Sequence, residues 1–195
     1  MSNDPYIDPS TGVLVNRLGM NDPRELSQAE ADLTYLALAR LETRSLSGDY
    51  DLVHLRSFHK AIFGDVYPWA GELRTVVIAK GHPFCLPQFI ESAADQIFRG
   101  LAREGHLRRL RRSVFVERLA FYLGEINAVH PFREGNGRTQ RALFGQLARD
   151  ASFRGNWHRL DADQNTAASI ARMRGDPKPM CRMLDELVEP FDGLR

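Results

Sequence analysis

Twelve consecutive residues, His130-Pro-Phe-Arg-Glu-Gly-Asn-Gly-Arg-Thr-Gln-Arg141, bring together a base, a carboxylate, two glycines and two arginine forks. An imidazole of ordinary pKa is partly neutral near pH 7, so His130 is suited to take a proton from an attacking hydroxyl. Glu134 offers one carboxylate, and one carboxylate plus phosphate oxygens is a usual way of holding Mg²⁺. Gly135 and Gly137 let the backbone wrap closely around an anion. They fall where a helix is expected to start, and a helix start already supplies unpaired N–H groups and the positive end of the dipole. Arg138 and Arg141 are three apart, so both project from the same side of that first turn and together suit a polyphosphate.

Taken singly, each feature has a plainer reading. A histidine near a helix C-terminus is favoured by the dipole alone. Two arginines on a helix usually form a solvated face. Only their arrangement within twelve residues favours chemistry.

The elements that must position this loop are helices. One is expected over residues 113–128, with Phe115, Leu119, Tyr122, Leu123 and Ile126 buried; the next starts near Gly137 and runs to about Asp150, with Leu143, Phe144 and Leu147 buried. Upstream, Ser27 and Glu30 form a capping-box pattern for a helix reaching Leu46, with Leu33, Leu36, Ala37 and Leu41 on one face. A second helix spans 51–63, carrying Leu52, Leu55, Phe58, Ala61 and Ile62, and a loop with Tyr67, Pro68 and Trp69 follows. Residues 74–79 have the strongest β propensity in the chain, and with Phe84-Cys85-Leu86 they read as a small hairpin. Helices from Pro87 to about Glu104, over 162–173 and over 178–188 complete a mainly helical chain. Residues 1–24 read as an irregular lead-in.

The twelve-residue pattern resembles the signature of the Fic family, His-x-Phe-x-(Asp/Glu)-Gly-Asn-Gly-Arg-x-x-Arg. His130, Phe132, Glu134, Gly135, Asn136, Gly137, Arg138 and Arg141 meet every fixed position. The resemblance extends to the Tyr67–Gly71 loop, the hairpin and the helix before the motif, roughly residues 25 to 190. It implies a mainly α fold: a Fic-type helical bundle with a single β-hairpin flap, as one domain over 25–195 with its core at about 51–150.

The resemblance also implies a protein adenylyltransferase that moves AMP from ATP-Mg²⁺ to a Tyr, Thr or Ser hydroxyl and releases pyrophosphate. His130 would be the base and Glu134 the Mg²⁺ ligand. Asn136 and the backbone of 135–137 would hold the α- and β-phosphates. Arg138 would grip the β/γ-phosphates, Arg141 the γ-phosphate, and Arg133 would be a further nucleotide contact. Phe132 would anchor the loop in the core. Ile78, Ala79, Lys80 and Gly81 at the flap would border the nucleotide and pair with an extended segment of the target protein.

Family members are restrained by a glutamate in the pattern (Ser/Thr)-x-x-x-Glu-(Gly/Asn). The nearest match here, Ser113-Val-Phe-Val-Glu117-Arg118, fails at its last position. The resemblance therefore implies a small antitoxin supplying a glutamate to Arg141 in trans, from a groove beside the first long helix. Other readings stay open: a kinase or phosphocholine transferase on the same scaffold, a non-catalytic binding module, or a secreted host-directed effector domain. Gly137 and Arg141 disfavour the kinase branch, which carries a lysine at the first position and lacks the second arginine.

Composition bounds the rest. The chain has 195 residues with 26 Lys+Arg against 25 Asp+Glu, so no global charge draws it to nucleic acid. The basic run Arg108 to Arg112 lacks interleaved aromatics, and it reads as a surface helix start. No nucleic-acid binding is expected. No stretch approaches the roughly 20 apolar residues of a membrane span, so no membrane association is expected. Cys85 and Cys181 suggest neither a disulfide framework nor a zinc site, so a reducing compartment, the bacterial cytoplasm, is the expectation.

Overall fold

The computed structural model describes residues 4–80 and 82–191, with the His82 side chain excluded. Among them are seven α-helices: α1 Pro23–Thr43, α2 Leu52–Phe63, α3 Ile90–Arg103, α4 Arg112–Val129, α5 Asn136–Asp150, α6 Ala162–Met173 and α7 Lys178–Leu187. Two antiparallel pairs of short strands accompany them, β1 Ala79–Lys80 with β2 His82–Pro83 and β3 Phe153–Gly155 with β4 Val188–Pro190.

α4 is the centre of the bundle, touching α3, α5, α6 and α7. It is buried on several sides by Phe115, Val116, Leu119, Ala120, Leu123 and Ile126, so no single apolar stripe marks it. α5 lies against α2 and α4 through Leu143, Phe144 and Leu147, all fully buried. Each such Leu or Phe contributes about 1.5–3 kcal/mol relative to an exposed site. This fixes the two helices between which the loop of residues 130–135 is strung.

α1 starts earlier than the capping-box pattern suggests. Asp22 is the cap, its carboxylate accepting from the N–H groups of Arg24 and Glu25, with Pro23 at the first helical position. Leu36 points to solvent, and Leu26, Thr34 and Leu41 are the buried residues of α1. Ala61 of α2 is also exposed. Residues of the lead-in pack onto the helices: Ile7 bridges to Leu14, and Tyr6 and Val13 join the core.

The β-rich run of residues 74–79 is mostly not paired as a strand. The Arg74 N–H goes to Pro131 O and the Thr75 N–H to the Tyr6 hydroxyl. Ladder pairing is confined to Ala79 opposite Pro83 and Lys80 opposite His82, extended by the Phe84 N–H donating to Ile78 O. The second sheet, with Phe153 opposite Pro190, pairs a segment where the sequence suggests no element with one that begins at the end of the expected last helix. Its strands are three residues long, too short for an alternating pattern to show.

Candidate active site

α4 ends on His130, whose backbone is left-handed, with φ 49° and ψ 63°. That conformation is costly for a residue with a Cβ, so surrounding contacts must hold it. They do: the N–H donates to Ile126 O at 3.0 Å, and the ring nitrogen Nδ1 lies 3.2 Å from Asn127 O. A carbonyl only accepts, so Nδ1 carries the proton and Nε2 keeps its lone pair. Phe84 stacks on the ring at a centroid distance of 3.9 Å. Burial of the half-buried imidazole lowers its pKa to about 4, aided by the nearby charges of Arg74 and Lys80 and opposed by the Asn127 carbonyl. The ring is therefore a neutral acceptor at physiological pH.

Phe132 is fully buried and stacks on His59 at 3.9 Å, so it anchors the loop as expected. Asn136 is also buried, at 3% exposure. Its Oδ1 accepts from the Phe132 N–H at 2.9 Å and its Nδ2 donates to Phe132 O at 2.7 Å. The Asn136 side chain, expected on phosphate, is thus consumed in closing the loop, and only its backbone N–H remains for an anion.

Gly135 caps α5 with φ 79°. A Cβ there would lie 2.2 Å from the Phe63 ring, so shape and backbone both demand glycine. The Thr139 N–H returns to Gly135 O, whereas the N–H groups of Asn136, Gly137 and Arg138 find no acceptor among the described residues. Three free donors at the positive end of a helix form an anion cradle. Glu134, exposed at the rim, accepts from the Gly135 N–H at 2.9 Å.

The two motif arginines are not equivalent. Arg138 turns to α1, donating to Glu30 at 2.5 Å and to the Thr34 hydroxyl at 3.0 Å, with its guanidinium over the Phe63 ring. Arg141 has no hydrogen bond and no ion pair among the described residues, and burial with the nearby Arg138 charge lowers its pKa. It borders a cavity shared with Gly137, Asn165, Ser169, Trp157 and Met183. Arg133 points elsewhere: its Nε pairs with Asp4 at 2.9 Å, which ties the loop to the lead-in. Of the flap residues, Ile78 is half-buried and Ala79 and Lys80 are exposed; Gly81 lies outside the described residues.

Three contributors carried no sequence signal for a place at the site. Glu30 accepts from Arg138 and from the Tyr67 hydroxyl. His59 links two loops, its Nδ1 accepting from Gly71 N–H at 2.8 Å and its Nε2 donating to Glu134 O at 3.1 Å. Arg74 bonds the His130 carbonyl at 2.8 Å. All three lie far from the motif in sequence, and only spacing inside the motif was readable. Among the described residues no group of three or more His, Cys, Asp or Glu side chains is placed to hold a metal ion.

The chain resembles known proteins along most of its length. It is 46% identical over 97% of its length to the protein adenylyltransferase VbhT of Bartonella schoenbuchensis, of which it spans 40%. It is 38% identical over 89% of its length to Fic of Escherichia coli K12, named a probable protein adenylyltransferase, and covers 86% of that protein. In structure it superposes on the N-terminal Fic domain of a VirB-translocated Bep effector protein from Bartonella quintana, solved with bound ADP. That match has a TM-score of 0.91 at 25% identity and covers 96% of both chains. The Fic/DOC family pattern itself matches residues 49–148. With the motif intact on this bundle, the chain belongs to the Fic/DOC family.

Proposed function

We propose that this chain is a protein adenylyltransferase, moving AMP from ATP to a hydroxyl side chain of another protein. One observation carries the reading: an imidazole with its Nδ1 proton engaged and its Nε2 lone pair free ends α4, while three unpaired N–H groups open α5 across a five-residue loop.

The target hydroxyl oxygen attacks the α-phosphorus, and its proton passes to Nε2 of His130. The bond from the α-phosphorus to the bridging oxygen breaks, and pyrophosphate leaves. The N–H groups of Asn136, Gly137 and Arg138 stabilise charge on the phosphate oxygens, where fixed dipoles act without reorganisation. Arg141 is the free cation for the terminal phosphate. Arg138, held by Glu30 and Thr34, adds its positive field from the α1 side. Mg²⁺, when bound, offsets charge on the phosphates; Glu134 at the rim is the residue to hold it. Asn136 keeps the loop shut through Phe132.

The flap offers exposed Val77, Ala79 and Lys80 for a target segment to pair along. The unpaired Arg141 supports control by a separate helical antitoxin that presents a glutamate to it. Exposed Tyr35 and Leu36 on α1, beside the Glu30 and Thr34 that hold Arg138, are where such a partner would seat. No helix among the described residues is long and apolar enough to cross a membrane. Action in the bacterial cytoplasm, or in a host cell after delivery, is consistent with that.

The test uses two labels. The purified chain and a cell lysate should give labelled protein from ATP carrying the label on the α-phosphate, and none from the γ-label. Label from γ-phosphate alone would make the chain a kinase, and label from neither would leave a phosphocholine transferase or a binding module.

A further inference from the structure

Arg74 is the only Lys, Arg, Asp or Glu in the buried set of the described residues, at 2% exposure. No carboxylate pairs with it there. Its guanidinium is satisfied entirely by main-chain oxygens: Nε donates to His130 O at 2.8 Å, one terminal nitrogen to Val76 O at 2.7 Å, and the other to Cys85 O at 2.5 Å and Val129 O at 3.2 Å. A buried cation without a counter-ion is costly, so this arrangement must be held by the fold.

The carbonyls of a helix's last turn lack intrahelical partners. At the end of α4 those of Ile126 and Asn127 are taken by His130 itself. The Ala128 oxygen accepts from the Cys85 N–H, those of Val129 and His130 accept from the Arg74 guanidinium, and that of Pro131 accepts from the Arg74 N–H. Apart from a long contact from Gln140 Nε2 to Ile126 O at 3.4 Å, every bond not made by His130 comes from residue 74 or residue 85, the two feet of the flap. The position of a cation at a helix C-terminus also suits the dipole.

We propose that Arg74 is the positioning residue of the transfer site, its buried guanidinium tying both feet of the flap to the carbonyl of His130 so that flap and base move as one unit. The proposal rests on the adenylyltransferase reading for its kinetic arm, not for its structural one. His130 is left-handed, and the Asn127 bond to Nδ1 depends on that backbone. Freed from Arg74, the His130 peptide relaxes towards the ordinary extended region, the Nδ1 bond is lost, and the ring adopts the Nε2–H form that free imidazole prefers. The lone pair then sits on the wrong nitrogen. Lysine cannot substitute, because one ammonium cannot reach oxygens spread around a planar fork. Seating a target strand on the flap loads Val76 and Cys85, and through Arg74 it steadies the base.

The experiment compares the full chain with Arg74→Lys by ¹⁵N-histidine NMR, assigned with His130→Ala, alongside melting curves, ATP binding and transfer kinetics. Wild-type His130 should show the Nδ1–H tautomer. Folded Arg74→Lys should bind ATP within about threefold of wild type, lose kcat at least tenfold, raise KM for the target, and show His130 as Nε2–H or mixed. A folded variant with an unchanged tautomer, or with activity falling only in step with its folded fraction, would reduce Arg74 to packing and overturn the proposal. If Arg74→Lys does not fold, Val77→Pro replaces it. Val77 is 59% exposed and its N–H has no acceptor among the described residues. Proline there re-aims the Val76 carbonyl, and an undisturbed His130 spectrum would equally overturn the coupling. If wild type transfers nothing, the functional reading fails while the tautomer comparison still decides the role of Arg74.

Discussion

Glu30 on α1 holds the guanidinium of Arg138 at 2.5 Å and also accepts from the Tyr67 hydroxyl, so one carboxylate joins the first helix, the motif helix and the Tyr67–Gly71 loop. Burial and this neighbour together push the Tyr67 phenol well above its usual range, keeping it a donor. The Glu30 side chain is only 13% exposed, so water cannot readily replace a lost partner.

Glu30→Ala should therefore leave two donors unsatisfied and destabilise the chain by about 2 kcal/mol. Glu30→Gln keeps an acceptor and should lose less. Urea unfolding of both variants is the check, and equal stability of Glu30→Ala and wild type would show that the contact contributes nothing.

His59 makes stability pH-dependent. Burial lowers its folded pKa to about 4, against 6.5 in the unfolded chain. Between those values the unfolded state binds more protons, so stability rises with pH and falls as pH drops from about 6.5 to 4. The loss from this fully buried ring is about 3 kcal/mol at pH 4. Urea midpoints at pH 7 and pH 4.5 should differ more in wild type than in His59→Gln, which lacks the titrating ring.

His130→Ala should lower transfer by roughly 10²–10⁴-fold while ATP still binds, because in the proposed mechanism the imidazole removes a proton and grips no phosphate. The active form is neutral, and it is lost as pH falls through about 4. In wild type, kcat/KM should hence stay flat from pH 7 to about 5. A half-maximal point near 6.5 would mean that the base is not the half-buried ring seen here.

Gly135→Ala forces a Cβ to within 2.2 Å of Phe63 at φ 79°. Strain and clash together should cost about 2–4 kcal/mol. The double variant with Phe63→Leu should recover part of that loss, because it relieves the clash and leaves the backbone strain. No recovery would place the whole cost in the backbone.

Glu134→Gln should raise the Mg²⁺ concentration needed for half-maximal transfer by about tenfold, with melting temperature unchanged because the side chain is exposed. If chelating divalent cations left wild-type transfer intact, Glu134 would have no metal to hold.

The sequence by itself determined the helices and the position of the motif loop between two of them. α2, α4, α5, α6 and α7 lie within a residue or so of where their periodicity puts them, because helical period and caps are local properties. The motif was legible for the same reason: His130, Glu134, Gly135 and the arginines sit within one turn and one loop, and spacing alone restricts what they can do. Only the tertiary structure decided how that loop is held. The β-rich run at residues 74–79 is mostly unpaired as a strand: its Arg74 N–H goes to Pro131 O, its Thr75 N–H to the Tyr6 hydroxyl, and the Arg74 guanidinium to the carbonyls ending α4. Arg138 and Arg141 look alike in sequence, yet Glu30, 108 residues away, takes one, and the other has no partner among the described residues. Asn136 turned inward to Phe132, since a buried loop must satisfy its own backbone before it can serve a ligand. Long-range hydrogen bonds of this kind depend on which surfaces pack together, and no local pattern of residues encodes that.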